Sequence, residues 1–594
     1  MEAGFSSNLE YYTNSYRPGI EQPRGTAEWF ANTGMLESDL GGLKRAATAQ
    51  TTQSPARYNW QASASYVTGS HNLKTGVQYQ RGTFYHTVDA NGDLYQVYRS
   101  SSTGIPWSVP DSVVIRNTPL AKYGERLNYD IGMFVQDSFT MKRLTVTGGI
   151  RYEWLNSQVE GTSSPAGRFV PARSFPVIKD VPKWSDPAPR LSAVYDLFGN
   201  SKTALKYSLN RYNQARTTGI ASNYNPFLSQ TASLAWSDLN GDGIAQGGLA
   251  FNADGTRQPA CVYRTTGCEI DFTSLPANFG TASPNQYGAY PRTWNLEQGV
   301  EIQHELIPRL SLTGSWFSGQ FHNLTRTINQ SWEYTGADPR QNPNYTPTTV
   351  YNAVTGQPIT VYARTAAAQA LPVRNLDTVD PTRTRTYNAF NMEFRARLGK
   401  GSQIFGGFAF ERQLDTNCAA ADNPNTLLMC DDTKNDVPFS KQFKVAGNYP
   451  LPYGIQLSGS FQTGAGPNGT PGTITSTQYM AITRGSTRYP SNCPSPCPAG
   501  AVILPSTFQP ATLSVPLVAP SAYFIERITQ IDLKLQKTFK VSRFTVSPQF
   551  EMFNVNNSDA IISTVTNNQL SSSYRYANSI MQPRMMGVGL QVKW

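Results

Sequence analysis

The chain has 594 residues, 39% hydrophobic and only 15% charged, with 47 Gly, 40 Pro and 31 Tyr, a length beyond what one globular core organises. No apolar run reaches the roughly 20 residues a membrane-spanning helix needs, whereas a membrane β-barrel stays open, because polar lumen residues alternate with its lipid-facing ones. The formal net charge of +10 comes from scattered Lys and Arg with no basic helix or run, so nucleic acid is not expected as a partner.

Abundant Tyr, Gly, Ser, Thr and Asn, without helical patterning, predict an all-β chain. The opening "MEAGFSSNLEYY" has neither the basic n-region nor the apolar h-region of a signal peptide, and "AGFSSNLEYYTNSY" (3–16) supplies a first strand. Tight turns then recur at 67–73, 139–144, 196–203, 304–310, 397–403, 449–455 and 537–543, each between runs of period-2 alternation. Tyr129, Ile131, Met133 and Val135 share a face, and Leu144, Val146, Ile150, Tyr152 and Trp154 share that of the returning strand. Asp130, Gln136, Thr145, Thr147, Arg151 and Glu153 fill the opposite side. Phe390, Met392, Phe394 and Leu398 alternate with Asn391, Glu393, Arg395 and Arg397. Near the end, Ile531, Leu533 and Leu535 alternate with Asp532, Lys534 and Gln536, followed by Phe544, Val546, Phe550 and Met552.

Between these hairpins lie long polar segments that read as irregular, near 83–125, 155–188, 213–290, 322–384, 413–440, 465–526 and 554–583. In a compact soluble domain so many long loops would count against the assignment; an outer-membrane barrel has short periplasmic turns and long extracellular loops. Seven hairpins make fourteen strands; the first stretch and the C-terminal strand bring the expectation to sixteen. A propeller array would show a repeat near 40–50 residues, and none is visible.

The six cysteines fall in three local pairs inside those segments, Cys261/Cys268, Cys418/Cys430 and Cys493/Cys497. Six cysteines allow 15 pairings; loop-stapling disulfides in an oxidising compartment are the economical expectation. Zinc is not expected, because His71, His86, His304 and His322 are dispersed. No His sits in a recognisable nucleophile–base motif either, so the chain is not expected to be an enzyme. "GAGPNG" (464–469) matches G-x-G-x-x-G but opens no helix, so it reads as a loop and no cofactor is called for. "DLNGDG" places Asp238, Asn240 and Asp242 at the 1, 3, 5 spacing of an EF-hand loop, with Gly243 at the sixth place and Leu249 where Glu belongs. "DANGD" (89–93) repeats only its first half. A plain turn is the simpler reading, with weak Ca²⁺ binding as the alternative. Loop aromatics Trp236, Tyr345, Tyr351 and Tyr362 are candidates for ligand contact or for self-packing.

The chain ends on "RMMGVGLQVKW", with Met586, Val588, Leu590, Val592 and Trp594 on one face and Gly587, Gly589, Gln591 and Lys593 on the other. This reads as a closing membrane strand with its aromatic in a periplasmic girdle.

Six segments in order resemble the barrel of TonB-dependent outer-membrane receptors of the Oar-like group: "HNLKTGVQYQRG" (71–82), "MFVQDSFTMKRLTVTGGIRYEW" (133–154), "DPAPRLSAVYDLFGNSKTALKYSLNRY" (186–212), "RTWNLEQGVEIQHELIPRLSLTGSWF" (292–317), "YPLPYGIQLSGSFQTGAG" (449–466) and "ITQIDLKLQKTFKVSRFTVSPQFEMFNVNN" (528–557). The resemblance implies a barrel of about 22 strands around an N-terminal plug, preceded by a TonB-contacting box and a carboxypeptidase-regulatory-like domain. None of these N-terminal parts is visible here, so residues 1–594 read as an N-terminally incomplete outer-membrane β-barrel domain. The expected location is the outer membrane of a Gram-negative-type bacterium. The expected partners are outer-membrane lipid, an extracellular ligand to be imported, and TonB through a plug outside this chain. A further partner is the barrel-assembly machinery, which would read Val588, Leu590, Val592 and Trp594 as the client signal. A passive porin-like pore and a surface-structural or adhesive protein are the alternatives.

Overall fold

A computed structural model describes the chain except residues 17–21, 39–40, 118–121, 228–230, 276–278, 281–284, 353–354, 436, 465–477, 484–507, 509, 511 and 519–525. No described helix is long and apolar enough to cross a membrane. Eighteen strand segments form one sheet. Glu2–Leu9 and Tyr12–Asn14 both lie along Gln50–Thr68, and Ile528–Lys537 and Phe539–Val541 both lie along Phe544–Phe553. Merging those two pairs leaves sixteen strands, the number expected from the turns.

In chain order they are β1 (Glu2–Leu9 with Tyr12–Asn14), β2 (Gln50–Thr68), β3 (His71–Asp89), β4 (Tyr123–Met141), β5 (Leu144–Val159), β6 (Lys183–Asp196), β7 (Thr203–Asn213) and β8 (Trp294–Ile307). They continue as β9 (Leu310–His322), β10 (Thr384–Arg397), β11 (Gln403–Thr416), β12 (Ser440–Leu451), β13 (Ile455–Gly464), β14 (Ile528–Lys537 with Phe539–Val541), β15 (Phe544–Phe553) and β16 (Met585–Lys593). Every strand pairs antiparallel with its sequence neighbour, and no pairing joins β1 to β16 among the described residues. The seven short turns all fall at one end. Five of them hold a non-glycine residue at positive φ, such as Lys142 (53°), Arg309 (75°), Tyr453 (64°) and Ser542 (55°), and the other two place Gly69 (55°) and Gly401 (79°) there, the conformation a tight hairpin demands.

The alternation read from the sequence is the alternation of the sheet. Val135 faces Ile150 and Met133 faces Tyr152 across β4–β5, and all four side chains are exposed on the outer face. Leu533 faces Met552 and Leu535 faces Phe550 across β14–β15. Leu398 is the exception among the residues assigned to these faces: it lies past the end of β10, in the turn. The inner face is polar and laced with ion pairs: Lys206–Glu301 (2.6 Å), Arg151–Glu153 (2.8 Å), Arg292–Glu153 (3.0 Å) and Lys534–Glu551 (2.8 Å). An apolar outside over a charged inside is the inverse of a soluble sheet's packing, and it suits a wall between lipid and a wet lumen.

The strands run well past membrane height at the long-loop end, where β2, β3 and β4 each have 19 residues. About 9–11 tilted residues suffice to cross. The loops they carry are not the irregular segments their composition suggests. Thr231–Ala235, Val109–Arg116, Leu94–Arg99, Gly34–Glu37 and Leu43–Lys44 make a five-stranded sheet in that order. Gly34–Glu37 and Leu94–Arg99 pair parallel, the other neighbours antiparallel. Over it sits a core of Leu94, Val113, Ile115, Phe169, Leu234, Trp236, Ile270 and Phe272. A second core of Val350, Val361, Met480 and Val515 joins the hairpin Tyr345–Tyr351/Pro358–Arg364 to the hairpin Tyr479–Thr483/Thr512–Pro516. Each strand is too short to bury its own apolar side, so partners come from loops far apart in sequence.

The two faces predict opposite responses to charge. Leu533→Arg on the outer face of β14 should destabilise the folded protein by about 2–4 kcal/mol, and Gln536→Arg on the inner face by less than about 1 kcal/mol. Urea unfolding in lipid vesicles, read as loss of the heat-modifiable gel band, measures both.

Candidate ligand site at the loop-covered end

Arg168 holds the loop layer together. Its Nε donates to Gly247 O (2.7 Å), Nη1 to Gly92 O (3.2 Å) and Nη2 to Ala245 O, while its backbone N–H donates to Asp93 Oδ2 (2.8 Å). Arg24 reaches the same Asp93, and Asp89 besides. Burial pulls the Arg168 guanidinium down to about 10, still charged at neutral pH, with Asp93 opposing the shift. Arg173 does the same for another pair of loops, donating to Gly280 O and Asn117 O. A guanidinium has five donors in a fixed fork, which suits it to collecting orphan carbonyls where loops meet.

Beside this layer a cavity of about 530 Å³ is lined by Trp184, Arg216, Tyr290, Arg326, Asp377 and Arg383, among others. The tops of β6 and β10 bring Trp184 and Arg383, and Asp377 stands on a short strand, Asn375–Val379, paired with Thr325–Asn329 and Asn285–Tyr287. Tyr224 Oη donates to Asp377 Oδ2 (2.7 Å), and Thr327 donates to the other carboxylate oxygen. Burial and then Asp377 push the Tyr224 hydroxyl up, so it stays a neutral donor. Trp184 Nε1 donates to Tyr290 O (2.9 Å). Arg383 is spent on Asp415, through Nη2–Oδ2 (2.9 Å) and Nε–Oδ1 (3.2 Å), and on Thr325 O (2.9 Å). Asp422, also at the wall, accepts from Asn329 N (2.7 Å) and is raised by burial. Arg216 is exposed and makes no ion pair among the described residues. Arg326 likewise makes no ion pair among the described residues, and its buried Nε has no hydrogen-bond partner, so the arrangement offers two uncommitted guanidiniums and an aromatic wall.

Two more recesses line the inner face. One of about 580 Å³ lies among Gln303, Thr313, Glu393, Arg395, Gln442 and Lys444; the other, of about 530 Å³, among Lys74, Gln136, Arg151, Arg190, Asn210 and Tyr212. A further hollow, of about 820 Å³, is walled by Ala62, Val77, Met133, Val135 and Ile150 on the outer face. Its apolar lining turned outward suits acyl chains rather than a solute.

The residues singled out in the sequence are placed as follows. Cys261–Cys268 and Cys418–Cys430 are disulfides within single loops. Cys493 and Cys497 lie outside the described residues, as does most of "GAGPNG". Asp238 Oδ1 and Oδ2 accept from the N–H groups of Gly241 (2.8 Å) and Gly243 (2.9 Å), and Asp242 Oδ1 accepts from that of Ile244 (2.7 Å). Asn240 Oδ1 accepts from Asp242 N (3.1 Å). Buried Glu269 clamps the segment by accepting from Leu239 N (2.7 Å) and Gln246 N (3.2 Å). Asp89 and Asp93 of the half-motif are the partners of Arg24. No group of three or more His, Cys, Asp or Glu poised for a metal occurs among the described residues. The four histidines are apart: His71 pairs with Asp137 (2.6 Å), His304 with Thr203 (2.8 Å), His86 stacks on Tyr123 and His322 on Trp294. Trp236 is a core residue, and Tyr345 donates to Asp422 O (2.6 Å). Val588, Leu590 and Val592 are exposed on the outer face of β16, and Trp594 is exposed just past its end. Arg168, Arg216, Arg326 and Asp377 carried no sequence signal, because each is a lone charge in a loop until other loops meet it.

The chain matches the family described as outer membrane beta barrel domain over residues 5–586, and it belongs to that family. Its place is the outer membrane, so the short turns face the periplasm and the folded loops the exterior. Similar solved structures include the outer membrane transporter YddB from Escherichia coli (9% identity, TM-score 0.46, 99% of this chain and 60% of that one). The copper transporter OprC (10%, 0.45, 99% and 63%) and the ferric yersiniabactin uptake receptor FyuA from Yersinia pestis (10%, 0.42, 92% and 54%) are others. The chain thus spans less than two thirds of each of them. No curated protein matches it.

Replacing Arg168 by Met leaves three carbonyls without their donor, a loss of about 3–6 kcal/mol to the loop layer at roughly 1–2 kcal/mol per group. Limited proteolysis should then cut within 231–280 while the barrel stays heat-modifiable.

Proposed function

We propose that this chain is the barrel of a TonB-dependent outer-membrane receptor of the Oar-like kind, which binds an extracellular solute and passes it to the periplasm. The N-terminal plug and the TonB-contacting box belong to a part of the protein outside these 594 residues. What supports this reading is the cavity at Arg216 and Tyr290: loop segments around 214–223, 290–293 and 417–426 close over it on a core of their own with Trp184, Ile220 and Tyr224, and it adjoins the polar, ion-paired inner face. A simple diffusion pore has no use for that roof. The ligand suited to the wall is polar, carries an anionic group for Arg216, and presents a flat face to Trp184 or Tyr290. The work is binding and passage rather than catalysis. Val588, Leu590, Val592 and Trp594 serve as the signal to the assembly machinery. The Asp238 segment serves as a clamped turn, since its carboxylates already cap their own backbone.

Two measurements test this. The full-length gene product should bind the purified periplasmic domain of TonB in surface plasmon resonance; a folded, heat-modifiable receptor that gives no signal overturns the coupling. Citrate, a hexose phosphate and an acidic dipeptide serve as probes of the cavity by quenching of tryptophan fluorescence. At least one should bind, and Arg216→Ala should weaken it about tenfold, the worth of one charged hydrogen bond.

A further inference from the structure

The three-stranded sheet that carries Asp377 ends in a strand with a neighbour on one side only. Its order is Asn285–Tyr287, Asn375–Val379, Thr325–Asn329. In the antiparallel pairing of the last two, alternate residues turn their N–H and C=O toward the partner strand and away from it. The bonds at either end of the pair fix which residues do which. Asp380 N–H donates to Leu324 O (2.8 Å) and Gln330 N–H to Arg374 O (2.9 Å), so the even-numbered residues from 324 to 330 face the partner. Thr325, Thr327 and Asn329 therefore turn their backbone outward. Two of these outward groups are taken by side chains. Arg383 Nη1 donates to Thr325 O (2.9 Å), and Asn329 N–H donates to Asp422 Oδ2 (2.7 Å). Between them, the N–H and C=O of Thr327 have no partner among the described residues.

This bare edge opens into the cavity of Arg216 and Tyr290. Thr325, Arg326 and Thr327 all line it, although alternation sends the Arg326 side chain to the face opposite its neighbours, so the cavity meets the strand edge-on. Thr327 is exposed, and its hydroxyl is tied back to Asp377 directly across the pair, which leaves its outward backbone uncovered. Charges of both signs surround the edge. Arg216 and Arg326 make no ion pair among the described residues, and the buried Nε of Arg326 has no hydrogen-bond partner. Arg383 is held by Asp415, and Asp422 stands where the edge ends at Asn329.

An unpaired N–H and C=O on one edge residue form a template to which an extended backbone adds. A ligand residue set opposite Thr327 in antiparallel order exchanges both bonds with it, as a hydrogen-bonded pair does within a sheet. A sugar or a simple polyanion has no N–H and C=O at that spacing. We infer that the Thr325–Asn329 edge is the recognition element of this cavity, and that the ligand class is a short extended peptide with a free carboxylate, its backbone paired to Thr327 and its carboxylate held by Arg216 or Arg326. The inference rests on the cavity being the ligand site and narrows that ligand to one class. The cavity, about 530 Å³, falls within the roughly 300–1,000 Å³ that encloses a ligand of drug size, which for a peptide is a few residues. Arg383 and Asp422 close the edge on either side of Thr327, so one residue pair is all it offers. That residue needs a peptide bond on both sides, and the shortest ligand that supplies one is a tripeptide.

The test uses the full-length protein refolded in detergent, with binding read by quenching of tryptophan fluorescence. The probes are alanyl-alanyl-glutamate, the same tripeptide N-methylated at its second residue, the same N-methylated at its third, and citrate. Methylation at the second residue removes the N–H that Thr327 O accepts and leaves every charge in place. The tripeptide should bind, and this methylated form about tenfold more weakly, the effect of one lost bond with its partner left unpaired. Methylation at the third residue, whose N–H points away from the edge, should cost at most about twofold. On the protein side, Thr327→Pro removes the outward N–H without touching the ladder to Asn375–Val379, a replacement an edge strand accepts. Thr327→Val loses the same hydroxyl and keeps the N–H. The proline variant should bind the tripeptide about tenfold more weakly than the valine variant. Equal affinity for the two methylated forms, or equal affinity of the two variants, overturns the edge as the recognition element. If the proline variant gives no heat-modifiable band, the methylated pair decides alone. If citrate binds and Arg216→Ala weakens it while the tripeptide does not bind, the peptide assignment falls and the cavity remains a ligand site. Quenching by none of the probes overturns both.

Discussion

A backbone in lipid has no water to satisfy its N–H and C=O groups, and everything else in this molecule follows from that. Each unpaired group would cost several kcal/mol, so every membrane-crossing segment must bond to a neighbour over its full length. The chain meets this demand in the simplest way, by pairing each strand with the next one in sequence through seven short turns. Next-neighbour order also explains why all the turns share one end and all the long loops the other. Only the outer edges of β1 and β16 carry backbone groups to which no described strand is paired.

The same constraint partitions the charges. Side chains alternate, so one face of the wall must be apolar against lipid, and the acids and most bases are then confined to the other. There they neutralise one another: Glu153 takes both Arg151 and Arg292, and Asp415 takes Arg383 and Arg385. At the exterior end water returns, strands may end, and short segments from separate loops assemble cores of their own around Leu94 and Val350. Arg168 and Arg173 are the price of that assembly's irregular backbone, each supplying donors to carbonyls that no strand satisfies.

How much of this was legible in the sequence depended on the range of the interaction. Hairpins were legible because turn and alternation are local: Val135 opposite Ile150 is a statement about sixteen neighbouring residues. The disulfides Cys261–Cys268 and Cys418–Cys430 join near neighbours, and spacing pointed to them. The loop cores were not legible. Leu94, Val113, Phe169, Leu234 and Ile270 read separately as single apolar residues in polar segments, and the loops were taken as irregular for that reason. The cavity was hidden on the same grounds, since Trp184, Arg216, Arg326 and Asp377 come from four segments of the chain. Asp238, Asn240 and Asp242 show the converse limit: the spacing of a calcium loop is visible in the sequence, while the carboxylates' occupation by their own backbone is visible only in the structure.

By itself the sequence determined the class of fold, the number of strands, the inward and outward face of each, and which end carries the loops. These follow from a period of two residues and from turn chemistry, both set by covalent geometry and lipid. Only the tertiary structure decided what the loops become and where their cavity lies. Those depend on segments more than a hundred residues apart meeting, and on the stagger of strands, neither of which a local pattern records.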